Sequence, residues 1–241
     1  MFYSFVTFRV FRGSSFFNHE THEQNKKIQD PSIQFDMGDK AYWEHIYDTK
    51  QLDQVSWFRE HLDNSLKMIL QTGVAKYASV IDVGGGSSTL VDDLLDHGFT
   101  DLTVLDISGT ALDASKERLG SRSTQVNWVE ADITAAILPQ DHFDVWHDRA
   151  VFHFLTNVED RRKYVELAMR AIKPGGHIIV ASFGLGGPEK CSGLDVVRYG
   201  PETMHDEFGN AFEFINCIDE IHHTPFGTTQ KFIYCYCRKT V

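Results

Sequence analysis

Val80-Ile81-Asp82-Val83 runs directly into Gly84-Gly85-Gly86-Ser87-Ser88. An apolar run that closes on an acid and three glycines reads as a strand bringing its backbone up to a ligand. A side chain there would fill the ligand's space, whereas glycine leaves it open and permits φ > 0. Twenty-four residues after Asp82, Leu102-Thr103-Val104-Leu105-Asp106 forms a second strand-like run ending in a carboxylate. An acid grips ribose hydroxyls at about this distance along the chain in dinucleotide-binding βαβ units. Together the two runs predict an adenosine-containing ligand at the carboxyl edge of a parallel sheet.

After Asp39, helical periodicity alternates with short β-rich runs, the pattern of a doubly wound α/β sheet. Residues 40–49 read as a short helix carrying Tyr42, Trp43 and Tyr47, and residues 55–72 as an amphipathic helix with Leu62, Leu66, Ile69 and Leu70 inward. Strands are expected over 78–83, 101–106, 126–129, 143–146 and 177–182. Helices are expected over 88–97, closed by Gly98, from a Ser108 cap to Leu119, and over 159–172 before the turn Pro174-Gly175-Gly176. A helix at 201–208 precedes two long strand-like runs, 212–223 and 229–238, joined by Thr224-Pro225-Phe226-Gly227-Thr228. The expected fold is therefore α/β over residues 38–241, a mostly parallel seven-stranded sheet ending in an antiparallel hairpin, with residues 1–37 as an N-terminal extension.

Composition narrows the partners. A formal charge of −11 removes the electrostatic attraction behind most nucleic-acid binding. No run of eighteen or more apolar residues exists to span a bilayer. No nucleic acid and no membrane are expected, and the protein is expected to be a monomer or dimer. Cys191, Cys217, Cys235 and Cys237 lack paired zinc spacing and read as reduced thiols of an intracellular protein, with Cys235 and Cys237 on one face of a strand. His222 and His223, adjacent on a strand, point to opposite faces and cannot chelate one ion together, so no metal is expected. The first nineteen residues carry Arg9 and Arg12, several Phe and Ser, and no acid. They fit a mitochondrial presequence or an untargeted leader; without targeting the compartment is cytoplasmic.

An NAD-dependent oxidoreductase would use the same Gly84-x-Gly86 and distal Asp106. Thr89, however, stands where the third glycine of a dinucleotide fingerprint permits close helix–strand packing. The chain resembles the class I S-adenosylmethionine-dependent methyltransferases, a Rossmann-like family, in five motifs that occur in order: DVGGGSS, the LD of VLDIS, EADIT, FDVWHDRAVFHFL and KPGGHIIV. YWEHIY followed by VSWF is further similar to the branch of small protein-lysine methyltransferases acting on citrate synthase or elongation factor 1-alpha.

The resemblance implies methyl transfer from S-adenosylmethionine to a small-molecule or protein-lysine acceptor. It implies that Gly84 and Gly86 admit the cofactor's methionine and ribose, and that Asp106, with Ile107 beside it, accepts from the ribose hydroxyls. Asp132 would take the adenine amino group, with Ile133 against the ring, and Asp82 would hold the loop or the cofactor ammonium. Trp43 and Tyr47, with Trp57, would either cover the cofactor or join the core. Each acid has a plainer reading as well: Asp106 as a helix cap, Asp132 as a turn residue, and Asp148 as a salt-bridge partner of Arg149.

Methyl transfer from a sulfonium is an in-line displacement, so positioning dominates and no covalent protein intermediate is needed. Asp148 and His147 are the candidate proton-handling groups, because strand four delivers them to the ligand edge. His153, between Phe152 and Phe154, reads as a buried structural histidine. The loop 184–200 carries Cys191, Asp195, Arg198 and Tyr199 over the expected site, and Cys191, Arg198 and Tyr199 are its candidate substrate contacts. A non-catalytic scaffold of the same fold remains the alternative from another functional class.

Overall fold

The structure is a computed structural model and describes residues 40–50 and 52–240. The expected N-terminal extension and the presequence reading lie outside the described residues. Helix α1 spans Lys40–Thr49 and α2 Asp63–Gln71. The core then alternates β1 (Ser79–Val83), α3 (Leu90–Asp96), β2 (Asp101–Asp106), α4 (Gly109–Leu119), β3 (Val126–Glu130), β4 (Phe143–Arg149), α5 (Val158–Ala171) and β5 (Ile172–Phe183). A two-residue-strand hairpin, β6 (Lys190–Cys191) and β7 (Leu194–Asp195), precedes α6 (Pro201–Phe208), β8 (Phe212–His223) and β9 (Thr229–Lys239).

Seven strands form one sheet in the order β3-β2-β1-β4-β5-β9-β8. The first five pair in parallel, and β9 joins β5 antiparallel with β8 outside it. The order reverses at β1, between β2 and β4, which opens a crevice at the carboxyl ends of these strands.

Alternation along each strand builds two cores. Ile81, Val83, Trp146, Ile178 and Val180 pack with Tyr164, Leu167 and Ala168 of α5 and with Met204 and Phe208 of α6. Val80, Val145, Ile179 and Ala181 face the other way, onto Met68 and Ile69 of α2, Leu90 and Leu94 of α3, and Leu112 of α4. The central strands are thus buried on both faces, as parallel strands between helix layers must be. Among the described residues no helix is long and apolar enough to cross a membrane.

Two expectations need correction. The helix expected over 55–72 begins only at Asp63, and Leu70 is among the exposed hydrophobics. The apolar residues of 55–62 turn into a cleft beside the glycine loop, so their spacing reflects a lining and not a helix face. The fifth strand begins at Ile172, which already pairs with Phe143, and the register then shifts so that Val145 meets His177. Lys173-Pro174-Gly175-Gly176 is therefore a bulge within the strand, where a Cβ on Gly176 would crowd Lys173 and Asp144 carbonyls. His222 is buried and His223 exposed, as alternation requires.

Candidate cofactor and acceptor site

The carboxyl ends of β1, β2, β3 and β4 border a solvent-open cavity with about 810 Å³ of free space, open solvent included. Gly84, Asp106, Ile107, Ala131, Asp132 and Ile133 form one half of its lining; Trp43, Tyr47, Trp57, Phe154, Leu155 and Cys191 form the other. Arg149, Ala150 and Val151 line it from the end of β4. A second cleft of about 470 Å³ lies alongside, lined by Arg59, Asp82, Gly85, Ser87, Ser88 and His147. Tyr47, Trp57, Gly84 and Arg149 border both.

The glycines are needed for close approach. Gly84 has φ +69°, and a Cβ there would collide with Val151; on Gly86 it would collide with Asp106 and Ala111. Asp106 Oδ2 accepts from Gly86 N and Oδ1 from Ser108 N, each at 2.9 Å, so one carboxylate ties the glycine loop to the end of β2. Burial pushes its pKa up to about 6, against those two backbone bonds. Ser108 caps α4 through Ala111 N, which leaves Asp106 free of the helix-cap role. Asp132 sits exposed and accepts from Thr134 N and Oγ1, both at 2.8 Å, so it serves a turn while also bordering the cavity.

Helix α1 is fastened over the cavity by Glu44, which sequence reasoning missed. Its carboxylate accepts from Gly109 N, Thr110 N and Ser108 Oγ at the start of α4. Against the burial that would raise it, these bonds hold the Glu44 carboxyl at about 2. Tyr42 donates to Ser192 O, joining α1 to the β6–β7 hairpin. Trp43 then meets Phe154 at 5.1 Å and Trp57 at 6.0 Å between ring centroids, so the helix aromatics wall the cavity.

Neither proposed proton-handling residue faces that wall. His147 is fully buried under the glycine loop, its Nδ1 2.7 Å from Asp82 Oδ1, and it borders only the second cleft. Asp148 borders neither cavity. It accepts from Val151 N, Phe152 N and Tyr164 OH, fixing the turn after β4, and burial pushes its pKa up to about 6. It makes no salt bridge with Arg149, whose side chain points the other way.

In the 184–200 loop only Cys191 reaches the cavity; burial pushes its thiol up to about 12. Arg198 braces its own loop through Gly187 O and Glu189, and Tyr199 is core, its ring 5.6 Å from Phe152. His153 is buried, and burial followed by the Arg149 charge brings it down to about 3.

Residues 80–176 match the family described as a methyltransferase domain. The chain is 26% identical over 130 residues to the mouse eEF1A lysine and N-terminal methyltransferase, covering 54% of this chain and 18% of that protein. It is 27% identical over 160 residues to the Danio rerio EEF1A lysine methyltransferase 2, covering 61% and 69%. Thus it spans about a fifth of the first relative's length and just over two thirds of the second's. The N-methyltransferase NodS of Bradyrhizobium japonicum, solved with S-adenosyl-l-homocysteine, superposes with a TM-score of 0.62 at 14% identity, covering 81% of this chain and 97% of NodS. The sheet order is that of the solved methyltransferase NodS, and the glycine loop falls within the residues that match the methyltransferase-domain family. Both curated relatives carry the name of eEF1A lysine methyltransferases.

Proposed function

We propose that the chain transfers the methyl group of S-adenosylmethionine to a nucleophilic acceptor that enters beside Trp43, Trp57 and Phe154. One observation carries this reading: a single cavity joins the cleared glycine loop and Asp106 to an aromatic wall with no base at its end. The residues fit the cofactor. Ile107 and Ile133 offer apolar faces for adenine, Asp106 accepts from ribose hydroxyls, and the second cleft, with Arg59 and the Ser87-Ser88 turn, suits the zwitterionic end.

The bound cofactor supplies an electrophilic methyl group; the chain supplies position and a dry site. The aromatic wall excludes water and aligns the acceptor with the methyl carbon, the condition under which in-line displacement gains most. The titratable side chains on the acceptor side are Tyr47, whose hydroxyl burial drives upward, Cys191 and Arg149. None of them is a base near neutral pH, so the acceptor has to arrive as a free nucleophile.

The acceptor belongs to the small-molecule or protein side-chain class, the second suggested by the eEF1A methyltransferases. The test is methyl-labelled S-adenosylmethionine with the enzyme and a cell extract, separated into protein and small-molecule fractions. Label transferred above a no-enzyme control supports the reading. Absence of transfer together with absence of S-adenosylhomocysteine binding by calorimetry overturns it.

A further inference from the structure

Arg149 borders both clefts and carries a charge to which the cofactor reading above gives no partner. Its side chain is only 5% exposed yet borders the main cavity. Nε donates to Tyr234 OH at 3.0 Å and Nη1 to Trp57 O at 3.2 Å, and the guanidinium lies 4.5 Å from the Phe232 ring centroid. Nη2 has no hydrogen-bond partner among the described residues; Glu220 Oε1, the nearest carboxylate, stands 3.7 Å away. That carboxylate is already engaged, by Arg59 Nη1 at 2.8 Å and by Asn64 at 2.6 Å. Two guanidinium groups therefore share one carboxylate: Arg59 is 30% exposed and meets solvent, whereas the buried Arg149 has only the long ion pair to Glu220, and its Nη2 still lacks a hydrogen-bond acceptor that an anion would supply.

Strand order says which ligand would supply the anion. Asp106 and Asp132, at the ends of β2 and β3, mark the adenosine side. Arg149 leans the other way, onto Tyr234 and Phe232 of β9 and Glu220 of β8, on the far side of β4. There it stands with Trp57 and the Trp43 and Phe154 rings. Of the side chains bordering the cavity, the charged ones are Asp106, Asp132 and Arg149, so the acceptor half is positive.

We propose that Arg149 is a specificity-determining residue whose guanidinium, with its incompletely hydrogen-bonded Nη2, binds a carboxylate of the methyl acceptor, the flat apolar body of that acceptor being held between Trp43, Trp57 and Phe154. The acceptor is then a small aryl or unsaturated carboxylic acid, and a cationic side chain is disfavoured at this position. This assignment rests on the methyl-transfer reading.

The test uses the full chain loaded with S-adenosylhomocysteine and three probes of one skeleton: phenylacetate, phenylacetamide and phenethylamine. Trp43 and Trp57 line the cavity, so tryptophan fluorescence reports occupancy. Phenylacetate should bind about tenfold or more tightly than the amide or the amine, the scale of one charge-assisted hydrogen bond. Arg149→Met should erase that preference, and Arg149→Lys, which keeps the charge without the planar fork, should retain part of it. Equal binding of all three probes, no binding of phenylacetate, or a preference for the amine overturns the assignment. So does a preference for phenylacetate that survives in Arg149→Met. Loss of S-adenosylhomocysteine affinity in Arg149→Met and Arg149→Lys alike would move Arg149 onto the cofactor's own carboxylate and also overturn it. If the unaltered protein fails to bind S-adenosylhomocysteine, the methyl-transfer reading falls and takes this one with it.

Discussion

The observed burial of Asp106 and its proposed ribose contact place opposite demands on its proton. As a buried acid held at about 6, above the 3.8 of a free carboxyl, it makes the ligand-free protein more stable below about pH 4, and that contribution fades as pH rises through 6. In the proposed role of ribose acceptor it is needed ionised, so cofactor affinity should run the other way. S-adenosylhomocysteine should bind progressively more weakly as pH falls through about 6. Asp106→Asn should lose about 1.5–3 kcal/mol of affinity at pH 7.5, the scale of hydrogen bonds to a charged group, and flatten the pH dependence. Calorimetry across pH 5–8 checks both, and a sloping profile in the variant would assign the titration to another group. Asp106 was legible because an acid at a strand end, a fixed distance beyond a glycine run, is a local pattern. Glu44 was not, since nothing in a helix sequence says that its carboxylate will reach the start of another helix sixty-five residues away.

At the level of the element, β4 shows both how much a strand pattern reveals and how it misleads. The segment Trp146-His147-Asp148-Arg149 holds two adjacent candidates for proton handling, yet neighbours on a strand face opposite ways. His147 and Arg149 point to the glycine loop and cavity, while Asp148 points into the α5 core with Tyr164. Applied strictly, alternation would have exchanged Asp148 for Arg149. Of the helix expected over 55–72, only the part from Asp63 forms, because the apolar residues of 55–62 line a cleft at a spacing that mimics a helical face. Asp148→Ala should accordingly act on stability: it leaves Val151 N, Phe152 N and Tyr164 OH without their acceptor and should cost about 3 kcal/mol or more. Urea denaturation measures the loss, and turnover per folded molecule should stay near that of the parent. A variant of full stability with slowed turnover would return Asp148 to the chemistry.

Across the whole molecule, the fold was readable because a doubly wound sheet is written in repeated local units, strand then glycine or cap then helix. The aromatic wall was readable only in part: Trp43, Trp57 and Cys191 stand out in the sequence, but that they meet one another and Phe154 from four separated segments is decided by tertiary packing. That convergence has a thermodynamic consequence. A ligand in the main cavity touches α1, the glycine loop, three strand ends and the β6–β7 hairpin at once, so it binds the folded chain and has no comparable site on the unfolded one. At a concentration of S-adenosylhomocysteine one hundred times its dissociation constant, linkage adds about 2.7 kcal/mol to folding. For a domain of this size, that corresponds to a rise in Tm of roughly 5–10 °C. NAD at the same concentration should leave Tm in place, because Thr89 stands where a dinucleotide loop needs its third glycine. A scan in which NAD stabilises and S-adenosylhomocysteine does not would reverse the choice of nucleotide while leaving the sheet, its switch point and the cleared glycine loop as described.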